Sequence, residues 1–181
     1  MLNTVFGTLS SGVAPVTSSY ESISTVTVGA GGTSSITFSS IPSTYKHLQL
    51  RLSLLDGGNN AINFTVNSDT GGNYSQHALG GNGSTMTAQG SGGTSSFSIA
   101  GYAVGTVATY PNIAVIDILD YANTNKYKTS RCMFGADKNA AGGSVEFSSG
   151  AWRNTAAINS INLFTGATIN QYSSFALYGI N

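Results

Sequence analysis

The chain has 181 residues, a formal net charge of zero and only 8% Asp, Glu, Lys and Arg, against roughly 25% in an ordinary soluble domain. Its 40% hydrophobic content excludes intrinsic disorder, which needs low hydrophobicity and high net charge. The balance of seven basic and seven acidic side chains gives no global electrostatic case for nucleic acid or anionic lipid.

So little charge leaves free copies prone to self-association, and the composition therefore predicts a protein whose surface is shared with other subunits. The length suits one domain plus an arm. No apolar run approaches the roughly 20 residues that span a bilayer, so no membrane insertion is expected. The first residues lack the basic and continuous apolar regions of a secretory signal.

Residues 1–19 scatter Leu2, Val5, Phe6, Leu9 and Val13 among Ser, Thr and Gly. Gly, Thr and Val oppose a helix, and the segment is expected to be an extended arm that buries these side chains on a neighbouring subunit or another protein. A β-sandwich domain is expected over 20–181. Its first strand runs from Tyr20 through Ile23 and Val28, and its second covers Ile36-Thr37-Phe38. The glycines at 29, 31 and 32 between them predict a hairpin. Leu48, Leu50, Leu52 and Leu54 alternate with Gln49, Arg51 and Ser53, the pattern of a half-buried antiparallel strand. After Asp56-Gly57-Gly58-Asn59-Asn60, a partner strand carrying Ile62, Phe64 and Val66 completes a second predicted hairpin.

Residues 67–95 are rich in Gly, Ser, Asn and Thr, which predicts a long loop anchored by Tyr74, His77, Leu79 and Met86. Strands resume at Ser96–Ile99, then at Ile113–Tyr121 and Lys126–Phe134, paired across Ala122-Asn123-Thr124-Asn125. The last three fall at Ser144–Phe147, Ser160–Phe164 and Phe175–Ile180, with one helical turn allowed at Thr155–Ile158. Some ten short strands with no long helix indicate an all-β antiparallel β-sandwich, specifically a jelly roll, with a barrel as the alternative.

Reaction chemistry finds little footing. Gly29–Ser34 and Gly90–Ser95 lack the spacing of a phosphate-binding loop and read as turns. Asp117 and Asp120 stand three apart on a strand, hence on opposite faces, which is no acid–base pair. Asp56 with Asn59 and Asn60 offers one carboxylate, few for calcium. Cys132 reads as a buried thiol, and neither His47 nor His77 lies in a nucleophile-elbow context. The sequons at Asn63, Asn73 and Asn82 are expected by chance. The chain is thus expected not to be an enzyme and to need no cofactor or metal. Tyr74, Tyr102, Tyr110, Trp152 and Arg153 are the candidates for holding a glycan by stacking and hydrogen bonds, against the alternative that most of these aromatics fill the core or an interface.

Three stretches carry a resemblance: Ser19–Ile23, Ile41–Arg51 and Tyr172–Ile180, strengthened by Asp117–Tyr127. With these phrases, the chain over 19–181 resembles small virion structural proteins of tailed bacteriophages. The resemblance implies a sandwich or jelly roll, trimeric, made in the host cytoplasm and carried on the virion. The expected role is a short fibre or tail-associated protein contacting the host surface through a glycan, with residues 1–19 binding other virion proteins. A capsid decoration protein that stabilises the shell is the alternative, and a carbohydrate-binding module or carbohydrate-active enzyme stands third. No functional residue carries over from the resemblance.

Overall fold

A computed structural model describes residues 19–56, 58, 61–99, 109–139 and 142–181. The expected arm, with Leu2, Val5, Phe6, Leu9 and Val13, lies outside the described residues but for Ser19, and Tyr102 lies outside them too.

Twelve strands follow in chain order: β1 (Tyr20–Thr27), β2 (Thr33–Phe38), β3 (His47–Leu54), β4 (Ile62–Val66), β5 (Tyr74–Gly81), β6 (Met86–Thr94), β7 (Phe97–Ser98), β8 (Asn112–Leu119), β9 (Lys128–Asp137), β10 (Gly143–Trp152), β11 (Ile161–Ile169) and β12 (Ser174–Ile180). They form an eight-stranded sheet in the order β1-β12-β3-β8-β9-β10-β5-β6 and a four-stranded sheet in the order β2-β11-β4-β7. Every pairing is antiparallel, and the two sheets pack as a sandwich.

The period-two pattern decides what lies between them. Leu48, Leu50, Leu52 and Leu54 of β3 point inward beside Ala114, Ile116 and Ile118 of β8, and meet Ile36, Phe38, Ile62, Phe64, Val66, Ile161 and Leu163 from the smaller sheet. Each such side chain contributes about 1.5–3 kcal/mol by leaving water, and together they hold the sheets in one register.

Both predicted hairpins in the first third are corrected. β1 pairs with β12 whereas β2 pairs with β11, and β3 pairs with β8 whereas β4 pairs with β7 and β11. Their connections cross between sheets, because each strand presents one apolar face and the two faces must meet across the core. Gly32 has φ +70, and a Cβ there would stand 2.7 Å from the Ile169 carbonyl oxygen, so the crossing passes too close to β11 for a side chain.

The predicted loop over 67–95 is instead the hairpin β5–β6. The Gly90–Gly93 stretch read as a turn is strand within it, and His77, expected in the loop, sits inside β5. Small residues hid the alternation: Tyr74, Ala78 and Gly80 face inward, and one large side chain among three gives no periodic signal. Thr155–Ile158 forms no helical turn. It is irregular, tied by the Ile158 amide to the Tyr121 carbonyl (2.9 Å) and by the Asn67 side chain to Ala157 O (2.8 Å).

Candidate functional site: two poles and an apolar face

Up-and-down strands give the sandwich two ends. One end gathers both described termini and the connections β2–β3, β4–β5, β6–β7, β8–β9 and β10–β11. At the other, β1, β3, β5, β7, β9 and β11 end and β2, β4, β6, β8, β10 and β12 begin. With strands of about 3.4 Å rise per residue, these poles stand about 25 Å apart.

Side-chain bonds knit the terminal pole. The Trp152 indole Nε1 donates to Asp69 Oδ2 (2.7 Å), whose carboxylate also accepts from Asn73 Nδ2 (2.9 Å) and the Gly71 amide (2.8 Å). These bonds, the Trp152 one foremost, hold the Asp69 carboxyl below its usual pKa against the opposing effect of burial. The Tyr74 hydroxyl donates to the Asp69 carbonyl (2.8 Å) and accepts from the Val66 amide (3.1 Å), and burial pushes its pKa to about 12. Lys128 is buried with its Nζ donating to the carbonyls of Asn123 (2.5 Å), Lys126 (3.0 Å) and Thr155 (3.0 Å). Asp120 binds Lys126 and receives its backbone partner in His47 Nδ1, to which the Asp120 amide donates (2.9 Å).

This knitting corrects two of the glycan candidates. Tyr74 is 0% and Trp152 1% exposed, so neither ring can stack on a sugar. They belong to the alternative reading, as core: Tyr74 packs edge-on against Phe97 (4.9 Å), which stacks on Phe64 (4.6 Å). Arg153 is exposed at the same pole, where its Nη2 donates to the Gly72 carbonyl. Tyr110 stands apart from these, on the loop pole before β8, and is 39% exposed. The sequence reading missed Tyr172, 73% exposed in the β11–β12 turn at the same pole. Its signal was a tyrosine amid Asn170-Gln171-Tyr172-Ser173, a polar turn with no apolar neighbour to bury it.

Comparison with protein-family models, curated proteins and solved structures returns no match.

The largest unexplained feature is the outer face of the eight-stranded sheet. An outward face on water should be polar, yet Ile113, Val115 and Leu119 of β8, Met133 of β9, Val145 and Phe147 of β10, Leu79 of β5 and Met86 of β6 are all exposed there. Register aligns them in rows: Val115, Met133, Phe147, Leu79 and Ala88 cross five strands side by side, and the next row runs Ile113, Gly135, Val145, Gly81, Met86. Contiguous apolar surface of this kind marks an interaction site. Gly135 leaves a notch between Ile113 and Val145, where an added Cβ would meet nothing within 4 Å. The notch opens into a shallow depression lined also by Asn82, Pro111 and Asp137.

The other half of the face is polar and aromatic. Arg51 lies over the rings of Tyr20 (5.2 Å) and Tyr178 (4.7 Å), its Nε donating to Gln49 Oε1 (2.7 Å), while Gln49 Nε2 donates to Asp117 Oδ1 (2.8 Å). The clue to the apolar half was Ile113–Leu119, apolar at both parities apart from Asp117, which signals cover on both faces.

Cys132 is buried and its thiol is pushed up to about 12, first by burial and then by the Glu146 charge, which disfavours the thiolate that would react. Among the described residues no three His, Cys, Asp or Glu side chains converge as metal ligands.

Proposed function

We propose that the chain is a non-enzymatic structural component of a bacteriophage virion, a short fibre or tail-associated protein. Residues 1–19 fix it to the particle, and its loops contact the host surface. The observation that carries this reading is the polarity of the sandwich. The chain enters β1 at the knitted pole, so a preceding arm leaves from there, while Tyr110, just before β8, and Tyr172, in the β11–β12 turn, stand at the opposite pole. Loops of Gly, Asn, Ser and Tyr on a rigid sandwich combine adaptable hydrogen bonding with rigid aromatic contact area, and a neutral host glycan fits such a surface.

Strand order supports the reading. Without the β5–β6 and β9–β10 hairpins, eight strands remain, split as β1-β12-β3-β8 and β2-β11-β4-β7. We read this as a jelly roll, an arrangement found in viral capsid and lectin domains. Fold alone does not carry function, so the weight rests on the polarity.

The test is to locate the chain on particles by cryo-electron microscopy and to compare incorporation of the full chain with a variant lacking residues 1–18. Density at the tail, with incorporation lost on truncation, is expected. Density over the capsid shell would favour the decoration role instead, and unchanged incorporation would refute the anchoring arm.

A further inference from the structure

The outer face of the eight-stranded sheet has a symmetry that its strand order makes visible. Its midline falls between β8 and β9, with four strands on either side. We propose that two copies of the chain pair through these faces, about a two-fold axis running along the strands on that midline. Such an axis lays β8 of one copy over β9 of the other, β3 over β10, β12 over β5 and β1 over β6. Residues at one height in the register then meet.

The partners so assigned are complementary. Val115 and Met133 share a height, as do Asp117 and Arg131, so along the midline Val115 meets Met133 and each charge its opposite, twice over, while farther out Val145 falls opposite Ser53 and Met86 opposite Thr27. Ile113 shares a height with Gly135. The isoleucine, 57% exposed, therefore enters the other copy's notch, where nothing stands within 4 Å of an added Cβ. Farther out, Phe147 covers Arg51 and Ser149 meets Gln49, because Arg51 is level with Val115, Phe147 with Met133, and Gln49 and Ser149 with the charged pair. Leu79 meets Ala176, and His77 meets Tyr178.

The charges favour pairing in a further respect. Asp117 and Arg131 are cross-strand neighbours, yet the ion pair of a lysine or arginine among the described residues is that of Lys126 with Asp120. Among those residues no hydrogen bond, ion pair or ring contact engages the Arg131 side chain, and it is exposed. A second copy supplies the carboxylate, and with a net charge of zero no long-range repulsion opposes the approach.

Size agrees as well. Eight strands at about 4.8 Å spacing and about 25 Å in length offer on the order of 800 Å², the share each partner contributes to a standard interface. A three-fold ring, as the resemblance implies, would need two different patches that fit each other, whereas this face fits itself.

The pairing does not depend on where the protein works, and its test is separate from particle location. Sedimentation velocity of the full chain at tens of micromolar is expected to give twice the chain mass. Gly135→Phe, which fills the notch from a position with open space, is expected to weaken pairing at least about 30-fold while its circular dichroism spectrum stays that of wild type and its melting temperature matches wild type at dilutions where both are monomeric. Asp117→Lys and Arg131→Glu, each folded by the same criteria, are expected to sediment as monomers alone and to regain the paired mass when mixed. A monomeric or three-fold wild-type chain would overturn the proposal, as would pairing that Gly135→Phe leaves intact. If Asp117→Lys fails to fold, the Gly135→Phe result decides.

Discussion

Asp69 is the tie between the β4–β5 connection and the end of β10, and its removal should be felt throughout the terminal pole. Asp69→Ala leaves the indole N–H of Trp152, a side chain only 1% exposed, without its acceptor at 2.7 Å. Stranding a buried donor costs about 1–3 kcal/mol. Loss of the bonds from Asn73 and the Gly71 amide adds about 0.5 kcal/mol each on the usual net value. A total of about 3 kcal/mol corresponds to a melting temperature about 6–12 °C lower for a domain of this size.

Asp69→Asn keeps an oxygen acceptor for the indole and should cost about 1 kcal/mol. The carboxyl's folded pKa lies below the ordinary value of 3.8, so the unfolded state binds the proton more readily. The stabilisation is thus complete above pH 3.8 and fades as pH falls through the folded value, a dependence that Asp69→Asn should flatten. Trp152 is the sole tryptophan, so urea titration followed by its fluorescence reads this locus directly. An Asp69→Ala midpoint equal to wild type, or an Asp69→Asn variant as damaged as Asp69→Ala, would refute the reasoning.

Gly150→Ala should destabilise by about 1–3 kcal/mol through overpacking, since its Cβ would stand 2.5 Å from the Phe97 ring; chemical denaturation with an unchanged m-value checks this. Lys128→Met should cost about 3 kcal/mol by removing the ammonium that gathers three loop carbonyls, and hydrogen exchange should rise in the β8–β9 and β10–β11 connections before the core strands. Tyr172→Ala, at a side chain 73% exposed, should leave stability within about 0.5 kcal/mol of wild type. It should nonetheless reduce particle adsorption to host cells, and undiminished adsorption would remove Tyr172 from the contact surface.

Strict alternation made the core legible: the β3 leucines follow from period two and the β8–β9 pairing from two matched runs, although the connection between them spans residues 120–127 rather than the expected four, with the strands ending at Leu119 and starting at Lys128. Which sheet each strand joins was not legible, because glycine segments such as Gly29–Gly32 serve equally as hairpin turns and as crossings between sheets. The β5–β6 hairpin was hidden by glycine and serine, whose missing bulk erases the pattern that large side chains write. Among the candidate contacts, a tyrosine's identity says nothing of its burial: Tyr74 and Tyr172 both follow polar residues, and only long-range packing puts one under Phe97 and the other in solvent. The outer apolar face was partly written in Ile113–Leu119, but its extent across five strands emerges only once register places Phe147 and Leu79 beside Met133.

The chain's two described ends meet: the Asn181 amide donates to the Ser19 carbonyl (3.3 Å), next to the Tyr20–Ile180 pair. A domain whose entry and exit are adjacent can be spliced into a surface loop of another protein without disturbing either fold. The same closure makes circular permutation feasible, with new ends opened at the Asn82–Thr85 turn and the old ones joined by a short linker. The fold thus has the geometry of a portable cassette.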